Sequence, residues 1–255
     1  TDHAVVGWGD PGLPDLHGMY WSSSNDFTEA MYYRLAQAVS FSNSFIKNAS
    51  ELSGDEVNVF IAEARFLRAY AYYNLLDLYG NVPLTTEIST ELPTQSNRTE
   101  LFNFIEAELM EIESIMLASN EYGRVDNVAA HALLSRLYLN AEAWTGQDRY
   151  ADCITYSQNV INSGYTLNMN DANGNGTAYD ELFMADNDVN GAQNEFIFTL
   201  NFDGMQSQTY GGTTFLVHAA IGGSMNPGNF GVNGGWGGLR TTKNLVNQFA
   251  VDLDA

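Results

Sequence analysis

Five stretches of the chain carry apolar residues at helical spacing, at about 27–49, 56–79, 98–119, 127–144 and 149–163. In the third, Leu101, Ile105, Leu109, Ile112 and Met116 recur at steps of four and three, while Glu106, Glu108, Glu111 and Glu113 fall off that line, as in an amphipathic helix. Asn97 with Glu100 three places later predicts a capping box, and Gly146 and Gly164 stand where C-cap glycines close the fourth and fifth helices. The second stretch differs. In "IAEARFLRAYAYYNLLDLY" (61–79), Ala64, Leu67, Ala71, Leu75 and Leu78 form one apolar ridge, and Ala62, Phe66, Ala69, Tyr73 and Leu76 form another on the far flank. Glu63, Asn74 and Asp77 fill one gap; Arg65, Arg68 and Tyr72 fill the other. Such a helix is packed from both sides, as an inner member of a stack is. Its charges exclude a lipid-facing span.

Helix pairs joined by short turns, with Ala62-x-x-x-Phe66 and Ala69-x-x-x-Tyr73 and Pro83 beyond, predict a mainly α fold of tetratricopeptide-like pairs in an α-α superhelix, although no strict 34-residue period is present. The pattern changes near residue 165. "EFIFTLNF" (195–202) reads as a strand. Eleven glycines between Gly204 and Gly238 predict loops with unusual dihedrals or close backbone approach. "TTKNLVNQF" (241–249) opens a final helix capped by Thr241 or Thr242. The expected organisation is a loop segment at 1–26, a helical scaffold at 27–164 and an irregular, small-β region at 165–255, together one structural unit.

Ten Lys plus Arg against 31 Asp plus Glu give a formal charge of −21. That excludes nucleic acid as a partner and disfavours docking on anionic lipid. The one cysteine, Cys153, reads as a small apolar side chain in a helix. There is no apolar run of spanning length, and the ends, "TDHAVVGWGD" and "FAVDLDA", read as cropped.

"AEARFLRAYAYYNLLDLYGNVPL" (62–84) resembles the central signature of the SusD/RagB family of lipid-anchored surface nutrient-binding proteins. In family order, the chain also resembles it at "WSSSNDFTEAMYYRLAQAVSFSN" (21–43), "LLSRLYLNAEAW", "INSGYTL" (161–167) and "GGWGGLRTTKNLVNQF". Full-length members are about twice as long, so the resemblance implies a fragment. It implies a non-catalytic receptor, with tetratricopeptide-like pairs supporting a loop-rich ligand face. It further implies a place on the extracellular face of the outer membrane, held by an N-terminal lipid anchor absent from this chain. The implied partners are an oligosaccharide, or peptide in some branches, and a SusC-like TonB-dependent transporter.

Sugar binding needs aromatic faces for the apolar side of a pyranose and planar polar groups for its hydroxyls. Trp21 lies where many relatives carry a ligand-contacting tryptophan, with core packing as its alternative. Asn25 can supply an amide or cap a helix. Trp236, alone among glycines in "GVNGGWGGLR", faces ligand or plugs the junction with the last helix; Tyr210 in "TYGGTTF" is a candidate of the same kind. Arg240 suits capping and ligand contact equally. "DANGNG" (171–176) matches the opening of a calcium loop at Asp171, Asn173, Asn175 and Gly176, but its twelfth place is Leu182, with Glu181 one early, so an Asx-rich turn is the default and no cofactor is expected. Scattered histidines and the lack of a phosphate loop give no catalytic constellation. An oligopeptide receptor, a helical glycoside hydrolase and a bare repeat scaffold remain as alternatives.

Overall fold

A computed structural model describes residues 3–203, 206–207 and 209–249. In chain order the elements are β1 (Ala4–Val6), α1 (Leu13–Gly18), α2 (Asp26–Ala49), α3 (Asp55–Tyr79), β2 (Val82–Pro83), β3 (Gln95–Ser96), α4 (Arg98–Ile112), α5 (Asn127–Leu139), α6 (Ala141–Thr145), α7 (Tyr150–Ile161), α8 (Gly212–Ala220), β4 (Leu239–Thr241) and α9 (Lys243–Val246). Short 3-10 turns lie at Asp180–Phe183, Ala192–Asn194 and Pro227–Phe230. Two compact units result, one of Tyr32–Leu200 and one of Thr1–Met31 with Asn201–Ala255.

The contiguous unit is helical. Helix α3 packs on α4, α4 on α5 and α5 on α7, the stacking of tetratricopeptide-like pairs. Phe66, Tyr72, Leu76, Leu101, Ile105, Leu109, Ile112, Leu134, Leu137 and Tyr138 are fully buried. Each buried side chain of this size contributes about 1.5–3 kcal/mol relative to exposure. The capping box forms as expected: Asn97 Oδ1 accepts from the Glu100 N–H while Glu100 Oε2 accepts from the Asn97 N–H. No helix among the described residues is long and apolar enough to cross a membrane.

Helix α3 is not gripped as its ridges predict. The Phe66 ridge is buried throughout, but on the other Leu67 is 44% and Leu78 55% exposed. The buried arc instead takes in the stripe of Arg68 and Tyr72. Arg68 can be buried because Glu108 comes with it: Arg68 Nη2 donates to Glu108 Oε2 at 2.5 Å and Arg65 Nη2 to Oε1 at 2.6 Å. Arg68 Nη1 also donates to Asn43 Oδ1 at 2.8 Å, tying in α2. Of the other polar stripe, Asp77 is exposed and Asn74 half-buried, while Glu63 is held by Arg124 Nη2 at 2.7 Å and Asn120 Nδ2 at 2.8 Å.

The turn after α3 gives the 62–84 signature a physical content. Gly80 closes α3 at φ 76°, where a Cβ would stand 2.6 Å from the Arg98 guanidinium. The chain then turns so that buried Val82 and Pro83 pair with Ser96 and Gln95. Buried Tyr72 pins the segment beyond, donating its O–H to the Thr85 carbonyl at 3.0 Å and accepting the Thr85 N–H at 2.8 Å.

Other expectations fail for identifiable reasons. Residues 195–202 form no strand; with no partner strand alongside, Phe198 is inserted edge-on against Phe66 and Tyr70, at ring separations of 5.6 and 5.9 Å. The third helix stops at Ile112, where the Ile115 and Met116 N–H groups both bond the Ile112 carbonyl and return Met116 to the core. The fourth is broken at Asn140, whose Nδ2 bonds the Arg136 carbonyl. Gly146 caps α6 in the left-handed region at φ 76°, but α7 ends on Asn162 and Gly164 has no such role. Cys153 is half-buried, with Sγ 3.7 Å from Ser135 Oγ.

Candidate functional site

The unit built from both ends of the chain is poor in regular structure, and its cohesion comes from close backbone contacts. Strands β1 and β4 pair antiparallel, Ala4 opposite Thr241 and Val6 opposite Leu239. The ladder continues as the Gly7 N–H bonds the Gly238 carbonyl at 2.7 Å. Gly204 lies outside the described residues, but elsewhere the glycine-rich stretch makes the predicted close approaches. A Cβ on Gly235 would overlap the Ile221 carbonyl oxygen, and one on Gly238 would run into the Trp8 ring. The expectation of loops alone is wrong at α8: "GTTFLVHAA" holds enough helix-compatible side chains to wind nine residues after Gly211. Thr242, one of the two expected caps, accepts the Leu245 N–H at the start of α9.

These contacts set Trp236 at the centre of an aromatic cluster. Its N–H bonds the His218 carbonyl at 2.8 Å, and its ring stacks on the His218 imidazole at 4.9 Å. Tyr210, 86% exposed, lies 6.1 Å from the ring centre at a tilt of 51°. Trp8 lies 6.5 Å away at 49° and meets Phe215 edge-on. The half-buried Trp236 thus belongs to a rim of rings, with Tyr210 outermost, Trp236 behind it, and Trp8 and His218 as backing. Rings so arranged offer apolar faces matched to the C–H side of a sugar.

Trp21 lies in the exposed segment that follows α1. Met19, at φ 62°, is the one non-glycine residue in the left-handed region among those described, and it turns the chain out of α1. Met19, Tyr20 and Trp21 follow one another at 72, 67 and 46% exposure. Strain of this kind is held where a surrounding structure imposes it. Asn25 does not present its amide outward. It is buried, its Nδ2 donating to the Gly12 carbonyl at 2.8 Å and its Oδ1 accepting the Phe27 and Thr28 N–H groups at 3.1 and 3.3 Å. The amide is committed to capping α2 and tying its start to that of α1. Asn25→Ala is expected to cost about 1 kcal/mol through the lost cap and to speed amide exchange at Phe27 and Thr28. Unchanged exchange there would remove that role.

Arg240 is drawn back along its own strand, Nη1 donating to the Leu239 carbonyl at 3.0 Å. In the helical unit, the "DANGNG" loop is an Asx-type turn: Asp171 accepts the Gly174, Asn175 and Gly176 N–H groups, while buried Glu181 accepts from the Asn173 N–H and Asn190 Nδ2. Asp180 accepts from Asn173 and Asn175 Nδ2 at its Oδ2, while its buried Oδ1 has no partner among the described residues. No group of three or more His, Cys, Asp or Glu side chains placed to hold a metal occurs among the described residues. The same unit has a half-open cleft of about 220 Å³ lined by Asn120, Arg124, Tyr165, Asn194 and Phe198 among others, and none of the expected ligand residues borders it.

Trp8 and His218 were not expected. Trp8 sits in "VGWGD", flanked by glycines as Trp236 is, and that isolation is the signal that could have found it. His218 had no such signal, because its place against Trp236 depends on a backbone contact between separate segments.

Residues 17–139 match a SusD-like family described as starch-binding and associating with the outer membrane. The whole chain aligns at 36% identity with the starch-binding protein SusD of Bacteroides thetaiotaomicron and spans 45% of its length. A protein solved with a xylogluco-oligosaccharide superposes over 98% of this chain and 49% of its own, with a TM-score of 0.79 at 21% identity. A SusD-superfamily protein of Parabacteroides distasonis superposes over 66% of this chain and 38% of its own, with a TM-score of 0.60 at 26% identity. The family match over residues 17–139 and an alignment running from end to end at 36% identity agree: the chain belongs to the SusD family.

Proposed function

We propose that this chain is the glycan-capturing part of a cell-surface receptor that binds oligosaccharide without cleaving it and passes it to a SusC-like TonB-dependent transporter. The observation that carries the reading is the rim of Tyr210 and Trp236, with the exposed Trp21 segment as a second candidate contact. Asn25 serves it indirectly, by capping α2 and tying its start to that of α1. The place of action is the outer membrane, on its extracellular face through an N-terminal lipid anchor. An acidic exterior of formal charge −21 makes a covalent anchor the physically sensible attachment, since so acidic a chain gains little from anionic lipid.

Starch is the first ligand class to test, because it is what the 36% identical relative is named for binding. Native gels cast with soluble starch, xyloglucan or laminarin should retard the whole chain in at least one, and the bound polymer should release no reducing sugar on long incubation. Free migration in every gel, with binding of oligopeptides in calorimetry, would replace the glycan reading by the peptide one. Sustained sugar release lost on substitution of one carboxylate would make the protein a hydrolase.

A further inference from the structure

We propose that Asn233 is a site of spontaneous covalent modification: its side-chain amide is converted to aspartate and isoaspartate through a cyclic imide with the Gly234 nitrogen. Where glycine follows asparagine, no side chain screens the backbone nitrogen from the asparagine Cγ. The chain holds four such pairs, at Asn173, Asn175, Asn190 and Asn233. In three of them the structure restrains both reacting groups. The Gly174 and Gly176 N–H groups donate to Asp171 at 2.8 and 2.9 Å, and the Gly191 N–H donates to Gln193 Oε1 at 2.7 Å. Their amides are tied as well: Asn173 and Asn175 Nδ2 donate to Asp180 Oδ2, and Asn190 Nδ2 donates to Glu181 Oε2. Asn233 is exposed, and neither its amide nor the Gly234 N–H is hydrogen-bonded among the described residues. Beyond its chain neighbours, no heavy atom stands within 4 Å of the place a Cβ on Gly234 would take, which leaves room for the ring to close.

In the reaction the Gly234 nitrogen gives up its proton to solvent base and attacks Asn233 Cγ; the bond from Cγ to the side-chain nitrogen breaks, and ammonia leaves. Water then opens the imide at either carbonyl. One opening yields aspartate on the original backbone. The other yields isoaspartate, whose backbone runs through Cβ and Cγ and is longer by one methylene. In sum an amide and water become a carboxylate and ammonium, with no oxidant or reductant needed. Asn233 lies between two backbone anchors. On one side the Val232 N–H bonds the Pro227 carbonyl at 3.3 Å, and on the other the Trp236 N–H bonds the His218 carbonyl at 2.8 Å. A methylene inserted between them pushes the chain against both bonds and displaces the backbone that seats the Trp236 ring. That consequence for binding rests on the glycan reading above; the choice of Asn233 over the other three asparagines does not.

The test ages the whole chain in mildly alkaline buffer and follows it by chymotryptic mapping and mass spectrometry. The amide-to-acid mass shift should grow about tenfold faster or more at Asn233 than at Asn173, Asn175 and Asn190, because those three must first open hydrogen bonds. In urea the four should react at similar rates. Comparable rates in the folded chain would overturn the assignment, and so would a preference for Asn233 that persists in urea, by making it a property of the local sequence alone. For binding, soluble starch and xyloglucan are the probes in native gels. Asn233→Asp, which adds the charge without the methylene, should bind within about twofold of the fresh chain, while the aged fraction carrying isoaspartate should bind about tenfold more weakly, the scale of a lost aromatic contact. Equal retardation of aged and fresh chains would overturn the effect on Trp236. A fresh chain that binds neither polymer would count against the glycan reading instead, and the mapping would still decide the modification.

Discussion

Glu108→Ala is expected to destabilise the helical unit by about 3–5 kcal/mol, because it leaves Arg68 charged and buried without its carboxylate. Arg68 is 5% exposed, and its Nε already lacks a partner among the described residues. Asn43 and the Thr86 carbonyl would remain as neutral acceptors for Nη1 and cannot balance the charge. At about 2–4 °C per kcal/mol for a unit of this size, Tm should fall by roughly 6–20 °C. Arg65, less buried and also bonded to Glu111 at 2.6 Å, can swing outward and contributes less to the loss. The double change Arg68→Met with Glu108→Leu should recover much of the stability, since apolar side chains of similar volume replace the buried pair without its desolvation cost. A loss under about 1 kcal/mol for Glu108→Ala would mean that water reaches the pair freely.

The same pair sets an acid limit. Burial pushes the Glu108 carboxyl up, but hydrogen bonds from Arg65 and Arg68, with their charges, outweigh burial and hold it below its ordinary value of 4.5. A carboxyl depressed in the folded state stabilises the fold above its unfolded value and loses that contribution as pH falls through the folded value. The stability gap between the unaltered chain and Glu108→Gln should therefore be full at neutral pH and narrow below about 4.5.

The second large effect belongs to Trp236. Trp236→Ala should weaken binding of the retained polysaccharide by about thirtyfold or more, the loss of a central aromatic anchor worth about 2 kcal/mol or more. Two losses combine there. The ring itself is removed, and Tyr210, 86% exposed, loses the neighbour against which it leans. Tyr210→Ala, which strips only the rim, should cost about fivefold, near the 1 kcal/mol of a single ring pair. Thermal unfolding of the helical unit should be unchanged in both, and calorimetry against the same polymer separates them. Equal affinity for Trp236→Ala and the unaltered chain would move the ligand site elsewhere, with the Trp21 segment next in line.

The helices were legible where burial follows local periodicity. The Phe66 ridge, the Asn97 cap and the Leu101–Ile112 line depend on residues three and four apart, and spacing is visible in sequence. What misled was chemistry supplied from another element. Arg65 and Arg68 read as filling a gap between two ridges, and only Glu108, some forty positions on, turns that gap into part of the buried face. The "EFIFTLNF" run has strand composition, but strands need partners, and here its Phe198 found a gap between aromatic rings instead. At the site, Trp236 and Tyr210 could be singled out by isolation among glycines, yet the cluster they form with Trp8 and His218 depends on contacts between segments more than two hundred residues apart or across a turn, which no local pattern records. Asn25 shows the converse: a cap and a ligand amide look alike in sequence, and the Gly12 carbonyl decides between them.

The pairing of β1 with β4 also sets an order of events at the ribosome. His3 and its partner Thr241 are 238 positions apart, so the leading strand emerges on the order of tens of seconds before the segment it must join, at about 5–20 residues per second. The contiguous helical stretch can condense during that wait, whereas the aromatic rim has to wait for the late glycine-rich segment to be translated. The aromatic rim thus forms only after the helical stretch between its two segments has been made.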